Sequence, residues 1–132
     1  MLLMNLTAEV ILSSLSENAK YELDEYYLEK YSKFFNFKLI SCSENLSEDF
    51  MIQFADKVDW KLISTYQKLS EDFIRKFQDK VNWWFISWKQ ELSEEFIIEF
   101  SDKVCWPCIF GYQKLSTKFK RKYKKMLPKD NR

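Results

Sequence analysis

The order of apolar and polar positions repeats along this chain. A leucine is followed by a serine or threonine and two mostly acidic residues, then by an aromatic ring, and more rings or aliphatics follow at intervals of four. Three consecutive copies read LSEDFMIQFADKVDWKLISTYQK from Leu46, LSEDFIRKFQDKVNWWFISWKQE from Leu69 and LSEEFIIEFSDKVCWPCIFGYQK from Leu92, so each begins 23 residues after the last. The leucine column extends to Leu23 and Leu115. The ring column is Tyr27, Phe50, Phe73, Phe96 and Phe119. Four residues on stand Tyr31, Phe54, Phe77, Phe100 and Tyr123, and four beyond those Phe35, Val58, Val81, Val104 and Leu127. Spacing by four puts these side chains on one face of a helix, which we term A, of about twelve residues, and not on alternate sides of a strand.

The starts of helix A carry their own signal. Ser47, Ser70, Ser93 and Ser116 are predicted N-caps, with acids after most of them to complement the positive helix terminus. The leucine before each serine is placed to staple against Met51, Ile74 or Ile97. A second helix, B, is predicted after Asn36, Asp59 and Asn82. Each cap is followed by an aromatic (Phe37, Trp60, Trp83, with Trp106 in the fourth copy), and Ile40, Ile63, Ile86 and Ile109 lie three residues further on the same face. At about eight or nine residues helix B cannot stand alone in water. Two helices per 23 residues leave turns of one to three residues, so each unit must cover its predecessor's apolar face. The expected fold is all-α: a solenoid of short antiparallel helix pairs. Residues 23–114 form four repeats, 1–22 an N-terminal capping region in which Thr7 caps a first helix, and 115–132 a final helix A with a basic tail.

Composition narrows the picture. One glycine, two prolines and 18% aromatic residues leave little room for hairpins and none for disorder on compositional grounds. No apolar run approaches the ~18 residues of a membrane span. The first residues lack the basic and long apolar regions of a signal peptide, and the triplets at Asn5 and Asn45 fall where helix starts are expected. Three cysteines, an odd number, suit a reducing compartment, and cytoplasmic residence is expected. The formal net charge of +1 conceals an asymmetry. Residues 116–132 hold eight Lys/Arg against one acid, a local +7, so the other 115 residues sum to −6.

Units of the form LSEDFI-x-x-F-x-DKV-[DN]-W-x-x-IS-x-x-Q resemble repeats in uncharacterised proteins of large DNA viruses that infect amoebae. The resemblance spans roughly residues 23–123. It implies a helical repeat protein expressed in a host cell, with no catalytic residue to carry over. The chain departs from the pattern in its first unit and at Cys105-Trp106-Pro107-Cys108-Ile109-Phe110-Gly111.

That departure holds the one motif with a chemical reading. Cys105 and Cys108 have redox-motif spacing, but no strand precedes them, and Cys108 falls in a column (Leu39, Leu62, Phe85) expected to be buried. Structural cysteines are therefore expected, with redox work the weaker alternative. Zinc would need four ligands, and the chain offers only Cys42 besides and no histidine. Without histidine, Ser–His–Asp and Cys–His hydrolases are excluded. Glu48/Asp49 and Glu94/Glu95 sit in first helical turns, where a solvated role is expected. One glycine cannot build a phosphate loop. No cofactor and no metal are expected.

Trp84 and Trp88 share a face of the third helix B, at positions held by Lys61 and Thr65 before and by Pro107 and Gly111 after. Two readings stand. Pro107 and Gly111 make room for the rings, or Trp84 and Trp88, bordered by Tyr66, Tyr112 and Lys61, form a partner-binding face. Residues 6–15 carry a short F-box-like pattern, for which a plain capping helix suffices. The expected function is a non-catalytic protein–protein interaction module. The alternative is nucleic-acid or anionic-surface binding through Lys118, Lys120, Arg121, Lys122, Lys124 and Lys125.

Overall fold

A computed structural model describes residues 33, 35–42 and 46–129. The expected capping region 1–22 with Thr7 and the F-box-like stretch, the columns at Leu23, Tyr27 and Tyr31, and Arg132 lie outside the described residues. Among those described there are eight α-helices and no strand. They are α1 (Phe37–Ser41), α2 (Glu48–Gln53), α3 (Trp60–Tyr66), α4 (Glu71–Lys76), α5 (Trp83–Lys89), α6 (Glu94–Glu99), α7 (Trp106–Tyr112) and α8 (Thr117–Tyr123), with a 3-10 turn at Lys124–Met126. Odd-numbered helices are the expected B type and even-numbered ones the A type. No described helix is long and apolar enough to cross a membrane. The chain divides into two compact units, Met1–Lys68 and Leu69–Arg132.

The caps lie where the residue types require. Ser47, Ser70, Ser93 and Ser116 each accept from the N–H three residues on, that of Phe50, Phe73, Phe96 and Phe119. Asn36, Asp59 and Asn82 do the same for α1, α3 and α5, whereas Cys105 makes no side-chain cap bond to α7. Such caps satisfy N–H groups that a helix end otherwise leaves open.

Helix A is shorter than its ring spacing suggests. α2, α4 and α6 have six residues each and end at Phe54, Phe77 and Phe100, whose φ near −108° and ψ near 30° leave the helical region. A separate turn follows, closed by Val58 N–H to the Phe54 carbonyl (3.0 Å), with the same bond at Val81 and Val104. This turn spans the same four residues as a helical one, so it preserves the apolar spacing after the helix has stopped. The stretch between α2 and α3, residues 54–59, is therefore longer than the one to three residues expected.

In the first unit α1 packs on α3. Ile40, Leu46, Phe50, Met51, Phe54, Val58 and Ile63 are buried. Phe37 lies 5.5 Å from Phe54 and Phe50 4.7 Å from it, centroid to centroid. One column departs from expectation. Leu39 is 67% exposed, Leu62 and Phe85 are half-buried, and only Cys108 is buried, so this column runs along the flank of the B helices and is not a core position.

In the second unit α5 packs along α7. Trp83 meets Phe96 and Phe100 (6.2 and 5.0 Å), and Trp106 meets Phe119 and Tyr123 (6.3 and 5.6 Å), so in this unit the first ring of both B helices rests on the A-helix rings of the next repeat. The indole N–H of Trp60, Trp83 and Trp106 donates to the carbonyl five residues earlier, at Ala55, Gln78 and Ser101. A tryptophan therefore both fills the core and satisfies the inter-helix turn. At the surface Arg75 forks onto Glu99 (2.8 and 3.0 Å) and reaches Asp72 (2.7 Å), tying α4 to α6. The Arg75 bond holds the Glu99 carboxyl below its ordinary range.

The core also contains polar side chains. Ser41, Ser64, Ser87, Gln67 and Gln90 are buried. Ser41 Oγ accepts from the Asp59 N–H (2.9 Å) and donates to the Phe37 carbonyl (2.6 Å). Ser87 Oγ does the same with the Cys105 N–H and the Trp83 carbonyl (2.9 and 2.7 Å). Gln67 Oε1 accepts from the Leu46 N–H (3.0 Å) while its Nε2 donates to the Ser41 carbonyl (3.2 Å). Gln113 accepts from Leu92 N–H (3.1 Å) and donates to the carbonyls of Ser87 and Gln90 (2.8 and 2.7 Å). Among the described residues every buried side-chain nitrogen or oxygen has a hydrogen-bond partner, as the cost of burying an unpaired polar group demands.

Phe96→Ala is expected to cost about 3–5 kcal/mol, since the ring is fully buried and its removal leaves a cavity. Urea titration followed by circular dichroism measures it, and a near-neutral result would remove Phe96 from the core. Ser87→Ala deletes the acceptor of the Cys105 N–H and is expected to cost about 1–3 kcal/mol in the same assay, although it removes a single oxygen.

Candidate functional site

α5 is capped by Asn82 and turns Ile86 and Ser87 into the core. With those two positions inward, Trp84 and Trp88, four residues apart, occupy the other side of the same short helix. Trp84 is 49% exposed and Trp88 half-buried. Their rings meet edge to face at 5.0 Å, and Phe85 lies 4.9 Å from Trp84 and stacks near Trp88 at 6.1 Å. Because α5 packs along α7, Tyr112 comes to 5.5 Å of Trp88 while staying 63% exposed. Lys89 Nζ stands 3.9 Å from the Trp88 ring, within cation–π range. The inward tryptophans use their indole N–H on backbone carbonyls. Trp84 and Trp88 make no such bond among the described residues. The result is a small apolar surface with a polar, cationic border.

Of the sequence-predicted face, the second unit thus brings together Trp84, Trp88 and Tyr112. Tyr66 and Lys61 belong to the first unit, on α3, where both are exposed and Tyr66 is 60% so. The idea that Pro107 and Gly111 make room for the two rings is not met. A Cβ added to Gly111 would touch nothing within 4 Å, and Pro107 is exposed. Gly111 therefore accommodates no ring, and Trp84 presents half its surface to solvent.

The basic positions are also outward. Lys118, Lys120, Arg121 and Lys122 on α8 and Lys124 and Lys125 on the 3-10 turn are all exposed, with Phe119 buried beneath them and Tyr123 and Leu127 half-buried. Lys122 Nζ lies 5.4 Å from the Tyr123 ring. At the start of α7 the Cys105 and Cys108 sulfurs are 2.8 Å apart. Cys105 is half-buried, Cys108 buried and Cys42 exposed. Burial, and next the bond to Cys105, push the Cys108 thiol up to about 11. No group of three metal-ligating side chains occurs among the described residues.

Reading the chain for chemistry passed over the residues that position this surface. Ser87 and Gln113 hold the start of α7 and the exit of α7 against α5. Glu71 and Glu94 reach the backbone N–H of Ser93 (2.7 Å) and of Ser116 respectively, fixing one A helix to the cap of the next. The serines and glutamines had a signal in the sequence, because each recurs at one register in three of the four repeats (Ser41, Ser64, Ser87; Gln67, Gln90, Gln113). No family model, curated protein or solved structure matches the chain.

Trp84→Ala removes a half-exposed ring with edge contacts to two neighbours. It is expected to cost clearly less than Phe96→Ala in a thermal or urea melt, because about half of the ring is already in solvent. A loss in the range of Phe96→Ala would reassign Trp84 to the core.

Proposed function

We propose that the chain is a non-catalytic helical-repeat protein, an α-solenoid of 23-residue helix pairs, whose B helices bind a protein partner at the surface of Trp84, Trp88 and Tyr112. The observation that carries this reading is Trp84. It stands half-exposed on a short helix whose other repeats hold lysine or proline there, and it leans on Phe85 and on Trp88, which Tyr112 in turn contacts. Tryptophan and tyrosine are the residues most often found to dominate interface energetics, and a rigid aromatic pair loses little entropy on docking. Lys89 at the rim favours a partner segment that places an apolar side chain on the rings and an acid beside them. The solenoid part is supported by the recurrence of the same Ser and Gln hydrogen bonds within each unit and by B-on-B packing.

A second reading has its own support in the six exposed cations from Lys118 to Lys125, which suit a phosphate backbone or anionic surface. The two differ in salt response. Neutralising several phosphates releases counterions and makes affinity fall steeply with salt.

Affinity capture with the intact chain and with a Trp84→Ala/Tyr112→Ala variant tests both. A protein captured by the parent, retained between 50 and 200 mM salt, and lost from a variant that still melts within a few degrees of the parent supports the first reading. Recovery of the same proteins by both chains overturns it. Capture dominated by nucleic acid and abolished at 200 mM salt favours the second.

A further inference from the structure

We propose that Cys105 and Cys108 are a reversible dithiol–disulfide pair, oxidised by low-molecular-weight disulfides, with Cys105 as the entry thiol. This rests on the start of α7 and is independent of the partner surface. In α5 the cap side chain reaches the third helical residue, as Asn82 Oδ1 accepts from the Phe85 N–H at 3.2 Å. Cys105 and Cys108 hold those two positions in α7. The repeat's own cap geometry therefore brings the side chain at 105 over the residue at 108, and the two sulfurs stand 2.8 Å apart. A disulfide bond is about 2.05 Å long, so closure needs a movement of only about 0.8 Å.

The two thiols differ in access. Cys105 is half-buried and reachable, while Cys108 is buried. Burial also keeps Cys108 protonated at neutral pH, which spares it from reagents until a mixed disulfide forms beside it. The chemistry balances as two exchanges. The Cys105 thiolate attacks one sulfur of the small disulfide, forms the mixed disulfide and expels one thiolate. The Cys108 sulfur, losing its proton, then attacks Cys105 Sγ and expels the second thiolate. The protein dithiol gives up two electrons, the small disulfide gains them, and the two thiol protons pass to the leaving thiolates. The product closes covalently the one described B helix that has no side-chain cap bond.

Full-length protein carrying Cys42→Ser, reduced and then exposed to a series of glutathione disulfide-to-thiol ratios, provides the test. Samples are alkylated and mapped by mass spectrometry. The expected product is an intramolecular Cys105–Cys108 disulfide that dithiothreitol reverses, preceded by a transient glutathione adduct on Cys105. Cys108→Ser should stop at that adduct, and Cys105→Ser should remain unmodified while its far-UV circular dichroism stays helical. If Cys108→Ser does not fold, the time order of adduct and closure in the Cys42→Ser chain gives the same information. Two free, alkylatable thiols after prolonged oxidation, an adduct that never closes, an intermolecular crosslink, or first modification at Cys108 would each overturn the proposal.

Discussion

Within each compact unit a glutamine that bonds in two directions holds one helix pair to the next. Between a B helix and the next A helix the backbone runs extended, with ψ near 145° at Gln67, Gln90 and Gln113. Extended backbone beside a core leaves N–H and C=O groups that no helix satisfies. A glutamine amide offers an acceptor and two donors. Gln67 and Gln113 use them on the first N–H of their own repeat and on a carbonyl of the repeat before. The serine whose carbonyl receives that bond completes the contact, its Oγ accepting from the N–H of the next cap residue. Apolar burial supplies most of the stabilisation but has no direction. These bonds supply the direction, and with it the register.

This division of labour explains what could be read from the sequence. The ring columns, the serine and asparagine caps and the all-helical class follow from spacing and residue type, and the structure meets them at Ser47, Ser70, Asp59 and Asn82. The break after α2, α4 and α6 was hidden for a physical reason. The isolated turn at 54–58 closes with the same four-residue bond as a helix, so Phe54 and Val58 keep helical spacing although the helix has ended. Apolar periodicity reports which side chains share a face and says nothing about whether the backbone between them is continuous. The buried serines and glutamines were hidden because polarity alone suggests exposure. Only their recurrence at one register marks them.

The candidate surface was legible in part for a related reason. Trp84 and Trp88 stand out because they break columns that are otherwise Lys, Cys, Thr, Pro and Gly. Whether a tryptophan packs or projects depends on what the neighbouring layer leaves open. The sequence made Gly111 look like a space for a ring. In the structure that space is solvent, and the contact to the next B helix comes instead from Tyr112, one residue on. Leu39 shows the converse, an apolar residue assigned to the core by its column and found 67% exposed. Columns on the flank of a helix two turns long do not report burial, because a small rotation moves them across the boundary between neighbour and water.

The start of α7 shows how much variation this scaffold tolerates. It lacks the cap bond that Asn36, Asp59 and Asn82 provide, yet the helix begins at the same register. Two features account for it. Pro107 in the first turn has no N–H, so this helix start has one open donor fewer than the others, and its φ already suits a helix. The Cys105 N–H still reaches Ser87, so the layer-to-layer bond that sets the register does not depend on the cap side chain. A position relieved of its capping duty in this way is free to carry another chemistry, and in this repeat it carries a thiol beside a second thiol.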